Sequence, residues 1–210
     1  MSIVVKKRRL QGFSANDQVF EKLDLSSMSA FQSKWVDCQF IKCEIPLAVF
    51  SASSFERCTF LSCELQQTAF RGSSLRGCRF EECDLRHASF DGCSPIADSF
   101  FIGCRLHYSS FNEATVFKTL FLGSNFHGAD LRFIEAWENT FEDCVLWGAS
   151  VNVGCQFFNS KFDERAAGVF TAIASRIHPN VETAKVLREL SGKNYAIASR
   201  LMDSPKDEAR

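Results

Sequence analysis

Ten cysteines and four histidines are the residues of this sequence best suited to bind a metal ion or to act as nucleophiles. The closest cysteines, such as Cys38 and Cys43, are separated by four residues, and no Cys-x-x-Cys pair occurs. Because structural zinc sites usually take closely spaced thiolates, this spacing favours thiols that fill small buried positions. We therefore expect reduced, structural cysteines and no metal or cofactor.

The histidines give no stronger signal for catalysis. His107 and His127 share one outward column of the repeat described below, but the column offers no third ligand for a metal ion. The sequence also lacks a Gly-rich phosphate loop, a Ser/His/Asp arrangement and a His-Glu-x-x-His run. These observations predict a protein that is not an enzyme, with the histidines on a solvated face.

Charge and hydropathy exclude two classes of partner. The 210 residues carry 24 basic and 25 acidic side chains, and this balance excludes a nucleic-acid binder held by bulk positive charge. No apolar run approaches the length of about 18 residues that spans a membrane, and the basic cluster after Val5 is not placed as in a signal peptide. We expect no direct contact with nucleic acid or membrane, and a cytoplasmic protein.

The strongest pattern in the sequence is a five-residue repeat. An apolar residue recurs at every fifth position, and every fourth of these is phenylalanine. The phenylalanines of this column are Phe20, Phe40, Phe60, Phe80, Phe101, Phe121, Phe141 and Phe162. A period of five fits neither a helix nor a strand, so each unit is a short extended piece with a turn. Four units that close one coil predict an all-β square solenoid with a stacked ladder of phenylalanine.

Three outward columns of this solenoid are candidate contact surfaces. Asp24, Glu44, Glu64 and Asp84 form an acidic column, which is either a solvated face or a stripe that imitates phosphates. A second column contains Phe117, Trp137 and Phe158, and it either contacts a partner or packs under the N-terminal arm. The third column is apolar and consists of Ile41, Leu61, Ile102 and Leu122.

The five-residue pattern stops after Phe162. Ala166, Phe170, Ile173 and Ile177 then recur at helical spacing, and Pro179 ends this predicted helix. A second predicted helix contains Leu187 and Leu190. Because a solenoid end must be covered, the first helix is expected to be a cap. Capping and dimerisation are expected to use Phe170, Ile173, Ile177, Leu187 and Leu190.

Runs such as Cys83-Asp84-Leu85-Arg86-His87 and Ala129-Asp130-Leu131-Arg132-Phe133 resemble the unit of pentapeptide repeat proteins. This resemblance covers residues 17–163 and implies a right-handed quadrilateral β-helix of about seven coils. It divides the chain into an N-terminal arm at residues 1–16, the β-helix at 17–163, and a helical C-terminal cap at 164–210.

Within that family, the chain is similar to the bacterial quinolone-resistance proteins in its coil number and in dense units such as Phe55-Glu56-Arg57-Cys58-Thr59-Phe60. It departs from them in having single-residue register slips instead of projecting loops, and a longer C-terminal region. The resemblance implies a homodimeric acidic rod that mimics DNA and binds DNA gyrase or topoisomerase IV, which would modulate the enzyme or protect it from poisons. The alternative is an interaction scaffold or secretion-system adaptor or effector without DNA mimicry.

Overall fold

A computed structural model describes residues 9–152 and 155–163 of the chain. It contains sixteen short strands in these residues. They are β1 (Ser14–Asn16), β2 (Val19–Glu21), β3 (Lys34–Val36), β4 (Gln39–Ile41), β5 (Ser54–Glu56), β6 (Thr59–Leu61), β7 (Ser74–Arg76), β8 (Arg79–Glu81), β9 (Ile96–Ala97), β10 (Phe100–Ile102), β11 (Thr115–Phe117), β12 (Leu120–Leu122), β13 (Glu135–Trp137), β14 (Thr140–Glu142), β15 (Gln156–Phe158) and β16 (Lys161–Phe162). In this part of the chain, no helix is long and apolar enough to cross a membrane.

The strands form two parallel sheets of eight strands each. The odd-numbered strands make the first sheet, from β1 to β15, and the even-numbered strands make the second, from β2 to β16. Isolated parallel bridges, such as Glu44 to Glu64 and Ser89 to Ser110, build a third and a fourth face. The chain is therefore a parallel-strand β-solenoid of about seven coils, as the five-residue period predicts.

The register of the strands explains the two slips in the repeat. Phe60 pairs with Phe80 at a spacing of 20 residues, whereas Phe80 pairs with Phe101 at a spacing of 21. The extra residue lies just before β9, and a second extra residue precedes β15, where Ala136 pairs with Phe157. Each slip is absorbed at a corner, so the inward residues stay aligned. The solenoid also extends N-terminal of residue 17, because β1 pairs with β3.

The core is a stack of aromatic rings along the second sheet. Phe40, Phe60 and Phe80 stack with ring centroids 4.6 and 4.7 Å apart and planes within 3° of parallel. This separation matches the spacing of parallel strands, about 4.8 Å, so one coil step brings each ring onto the next. Rings of the fourth face, such as Phe70 and Phe90, meet this ladder edge-on.

The corners place a constraint on the sequence. In the described residues, 21 non-glycine residues and eight glycines have positive φ, and nearly all lie two positions after an inward centre. None of the 21 is valine, isoleucine or threonine. The left-handed conformation is costly for β-branched side chains, which explains why these residue types are absent from the corners.

The cysteine thiols are hydrogen-bond donors in the core. All ten cysteines are free and buried. Each of Cys43, Cys63 and Cys83 donates from Sγ to the carbonyl oxygen of the phenylalanine 23 residues earlier, at 3.2 Å. Hydroxyls at equivalent positions do the same, as Ser124 donates to the Phe101 carbonyl oxygen at 3.0 Å. Cysteine, serine and threonine therefore interchange at these inward positions, because each supplies a small donor.

The stacked ring of Phe80 is a strong test of the core. Phe80 is fully buried between Phe60 and Phe101, with ring centroids 4.7 and 4.8 Å away. Phe80→Ala is expected to lower the free energy of unfolding by about 3–5 kcal/mol, because it leaves a cavity in the ladder. The control, Phe133→Ala, removes a ring that is 49% exposed and should cost under about 1 kcal/mol. Urea denaturation followed by circular dichroism measures both, and equal losses would contradict the stacked core.

Candidate interaction surfaces

The acidic column lies on the third face of the solenoid. Parallel bridges join Asp24 to Glu44, Glu44 to Glu64, and Glu64 to Asp84, so the four side chains are one coil apart along the rod. The first three are exposed, whereas Asp84 is buried. The next position of the column is Arg105, which reverses the sign of the charge. The exposed stripe therefore consists of three carboxylates.

Asp84 is held by a network of polar side chains. Its Oδ2 accepts hydrogen bonds from Arg86 Nη2 at 2.7 Å and Gln66 Nε2 at 2.8 Å, and it lies 3.1 Å from Arg105 Nη2. Burial acts to raise the pKa of Asp84, but these hydrogen bonds and the charge of Arg105 outweigh it and hold the pKa below its usual value. The carboxylate is ionised and paired, so it stabilises the fold and adds little to the acidic stripe.

The length of the stripe limits its likeness to DNA. Asp24 to Glu64 covers two coil steps, about 10 Å at the spacing of parallel strands. Duplex DNA of that length carries about six phosphate charges, twice the number of exposed carboxylates in the stripe. A partner that reads this column alone would therefore meet about half the charge of a duplex.

The aromatic column lies on the first sheet, at the C-terminal end of the described solenoid. Strand pairing aligns Phe117 with Trp137 and Trp137 with Phe158. The rings of Trp137 and Phe158 stack with centroids 4.1 Å apart, and Trp137 is 40% exposed. The chain enters at the opposite end, where Arg9 bridges to Ser29. This column is therefore an exposed aromatic surface at the opposite end of the described solenoid from Arg9.

Three of the four histidines, His87, His107 and His127, lie on the corner between the third and fourth faces and pack against aromatic rings. His87 stacks on Tyr108 at 5.3 Å, and Tyr108 meets His127 edge-on at 5.5 Å. Burial, followed by the charges of His127 and Arg86, lowers the pKa of His107. In residues 9–152 and 155–163, no group of three or more His, Cys, Asp or Glu side chains could hold a metal ion. His87 is exposed and His107 and His127 are partly exposed, so these rings pack against one another and Tyr108 on a face that water reaches.

The thiols of Cys78 and Cys93 are poorly suited to chemistry, whereas a hydrogen bond with Cys58 lowers the pKa of Cys38 to about 7. Burial raises the pKa of Cys78 and of Cys93 to about 12, so both stay protonated at neutral pH. Because the thiolate is the reactive and metal-binding form, buried neutral thiols are weak nucleophiles.

The residues predicted for capping and dimerisation lie outside the described part of the chain. They are Phe170, Ile173, Ile177, Leu187 and Leu190.

The network around Asp84 predicts that the carboxylate of Asp84 stabilises the fold more than the carboxylate of Glu64 in the same column. Asp84→Asn is expected to lower the free energy of unfolding by about 1–2 kcal/mol, because it weakens the hydrogen bonds from Arg86 and Gln66. The matched change Glu64→Gln, at an exposed position, should cost less than about 0.5 kcal/mol. Urea denaturation at pH 7 measures both, and equal effects would contradict the network.

The stability difference between the wild type and Asp84→Asn is also expected to depend on pH. The pKa of Asp84 is lowered in the folded state, so ionised Asp84 stabilises the fold at pH values above the ordinary pKa of aspartate, about 4. This stabilisation is lost as the pH falls through the lowered pKa of Asp84. The difference between the wild type and Asp84→Asn should therefore disappear in strong acid.

Part of the chain is similar to a known repeat family. A family model described as a pentapeptide repeat region matches residues 33–96. No curated protein matches the chain. Among solved structures, a trypsin-treated form of QnrB1, a plasmid-mediated fluoroquinolone resistance protein, is 17% identical, with a TM-score of 0.32, and the match covers 79% of this chain and 90% of that chain.

Two further solved structures are pentapeptide repeat proteins from other organisms. HetL from the cyanobacterium Nostoc, involved in heterocyst differentiation regulation, is 14% identical, with a TM-score of 0.26 and coverage of 74% of this chain and 90% of that chain. A protein from the Arabidopsis thaliana thylakoid lumen is 14% identical, with a TM-score of 0.24 and coverage of 88% and 91%. Residues 33–96 are therefore similar to a pentapeptide repeat region, and the same five-residue register runs through the sixteen described strands.

Proposed function

We propose that this protein is a non-enzymatic rod that binds a protein partner through the aromatic column of Phe117, Trp137 and Phe158. The observation that carries the proposal is the alignment of three outward aromatic side chains on one sheet, with Trp137 stacked on Phe158 and 40% exposed. Solenoids offer extended surfaces for binding, because their outward positions are not needed for the core.

The chemistry of the column indicates the kind of partner. Tryptophan and phenylalanine in the centre of an interface contribute much of its binding free energy. Charged side chains border the column, since Lys118 lies 4.9 Å from the Phe117 ring and pairs with Glu138 at 3.8 Å. An apolar centre with a charged rim is the usual arrangement of a protein interface, so the partner is expected to present an apolar cleft. A scaffold or secretion-system adaptor in the cytoplasm fits this surface.

Two exposed tryptophans allow a matched test of this surface. Trp137→Glu is expected to abolish capture of the partner, whereas Trp147→Glu, on a different face and 57% exposed, should retain it. The measurement is quantitative mass spectrometry of proteins captured from lysate of the source organism by the wild type and by each variant. Circular dichroism should be unchanged in both variants. A captured set that is identical for all three proteins would refute the aromatic column as the contact.

The acidic column supports a second candidate function, the binding of a type II topoisomerase such as DNA gyrase. Asp24, Glu44 and Glu64 present exposed carboxylates one coil apart along the third face. A regular row of negative charge is what a positively charged DNA-binding surface would attract. In this candidate, the protein acts as a homodimeric rod without binding nucleic acid itself, and the dimer is formed by residues 164–210.

The topoisomerase candidate is tested with purified DNA gyrase. The wild type is expected to change supercoiling or quinolone-induced cleavage, and the triple variant Asp24→Asn, Glu44→Gln, Glu64→Gln should need about tenfold more protein for the same effect. The control removes equal charge elsewhere, by Glu113→Gln, Glu135→Gln and Glu138→Gln, and should behave as the wild type. No effect of the wild type on gyrase, or equal effects of both triple variants, would reject this candidate.

A further inference from the structure

The second sheet carries an apolar patch on its outward side. Strand β10 contributes Phe100 and Ile102, and β12 contributes Leu120 and Leu122, with Phe100 aligned to Leu120 and Ile102 to Leu122. Phe100 is 39% exposed, and the other three are partly exposed. We call these four residues the β10–β12 patch. An apolar array of this kind on the outward side of a sheet indicates a surface that is covered.

The Ile102 and Leu122 column of the patch has an acidic residue at each end. Along the column of Leu122, strand register places Glu142 in β14 on one side, then Ile102, and then Glu81 in β8 on the other side. The distance from Glu142 to Glu81 is three coil steps, about 14 Å at the spacing of parallel strands. The column therefore has the order acidic, apolar, apolar, acidic. Glu81 also pairs with Arg79 at 2.7 Å.

The chain leaves the described solenoid on this same face. Strand β16 pairs with β14, and the backbone N–H of Asp163 donates to the carbonyl oxygen of Phe141 at 3.1 Å. In the order of the second sheet, β12 lies two strands from β16, so the patch begins about 10 Å from the exit point. The 47 residues that follow Asp163 therefore start beside the patch. Arg9, the first described residue, lies on the fourth face at the opposite end.

The sequence after Asp163 complements the column. Between Arg165 and Arg176 lie Phe170 and Ile173, at the spacing of one helix face. In a helix the eleven steps from Arg165 to Arg176 span about 16 Å, close to the 14 Å between the two glutamates. The segment therefore has the order basic, apolar, apolar, basic.

We propose that residues 164–178 pack as an amphipathic helix on the β10–β12 patch of their own chain, with Arg165 near Glu142 and Arg176 near Glu81. The helix runs back along the rod from the exit point towards β8. Because it is tethered about 10 Å from the patch, its effective concentration there exceeds that of any free partner. This contact is independent of the proposed partner and leaves the aromatic column and the acidic column uncovered.

Hydrogen–deuterium exchange of the full-length protein tests the contact. Amides in residues 164–178 of the wild type are expected to be protected, and Leu122→Glu should make them exchange at least about tenfold faster. The matched control Leu61→Glu changes the same outward column in β6, outside the patch, and should leave their exchange unchanged. Circular dichroism and the exchange of β4 and β14 report whether each variant keeps the solenoid.

Surface charges provide a second test that does not touch the sheet core. Glu142→Lys should speed exchange of residues 164–178, and the added change Arg165→Glu should restore their protection. The proposal is overturned if these residues are unprotected in the wild type, if both leucine variants act alike, or if the charge swap gives no rescue. Protection that rises with protein concentration would assign the patch to a second copy of the chain and would also overturn it.

Discussion

The structure depends on one constraint, which is that every inward residue must lie over its equivalent in the next coil. Parallel hydrogen bonds fix the coil spacing at about 4.8 Å, and the aromatic ladder uses that spacing directly, as in the 4.7 Å between Phe60 and Phe80. Most of the thiol and hydroxyl donors follow the same rule, because they reach a carbonyl oxygen one coil earlier, as Cys63 and Ser124 do. A register error would therefore disrupt the stacking of the rings and these hydrogen bonds at the same time.

Since the core uses only inward positions, the outward columns can vary without loss of the fold. The surface of this rod changes along its length. The column of Asp24, Glu44 and Glu64 makes the N-terminal coils acidic, whereas the patch on β10 and β12 and the column around Trp137 make the later coils apolar. Function must therefore be assigned to columns of side chains, and not to the solenoid as a whole.

Much of this architecture could be predicted from the sequence, because stacked equivalents must recur at fixed intervals. The five-residue period predicted the phenylalanine ladder, both register slips and the alignment of Trp137 with Phe158. The period could not show that Asp84 is buried and paired. Its ion pairs depend on Arg105 in the next coil and on the side-chain conformation of Arg86. The thiols act as donors because backbone carbonyl oxygens lie within reach, and the positions of these oxygens cannot be read from the residue types. The roles of the acidic and aromatic columns stay predictions.

The two candidate functions use opposite ends and different faces of the rod. The acidic column is shortened because Arg105 continues it, while nothing of opposite character interrupts the aromatic column from Phe117 to Phe158 in the described residues. Apolar contact is also less weakened by salt than contact between exposed charges. For a rod that must hold one partner under cellular ionic strength, the aromatic column is therefore the stronger contact. The carboxylates of Glu44 and Glu64 are better suited to orient an approaching basic surface than to retain it.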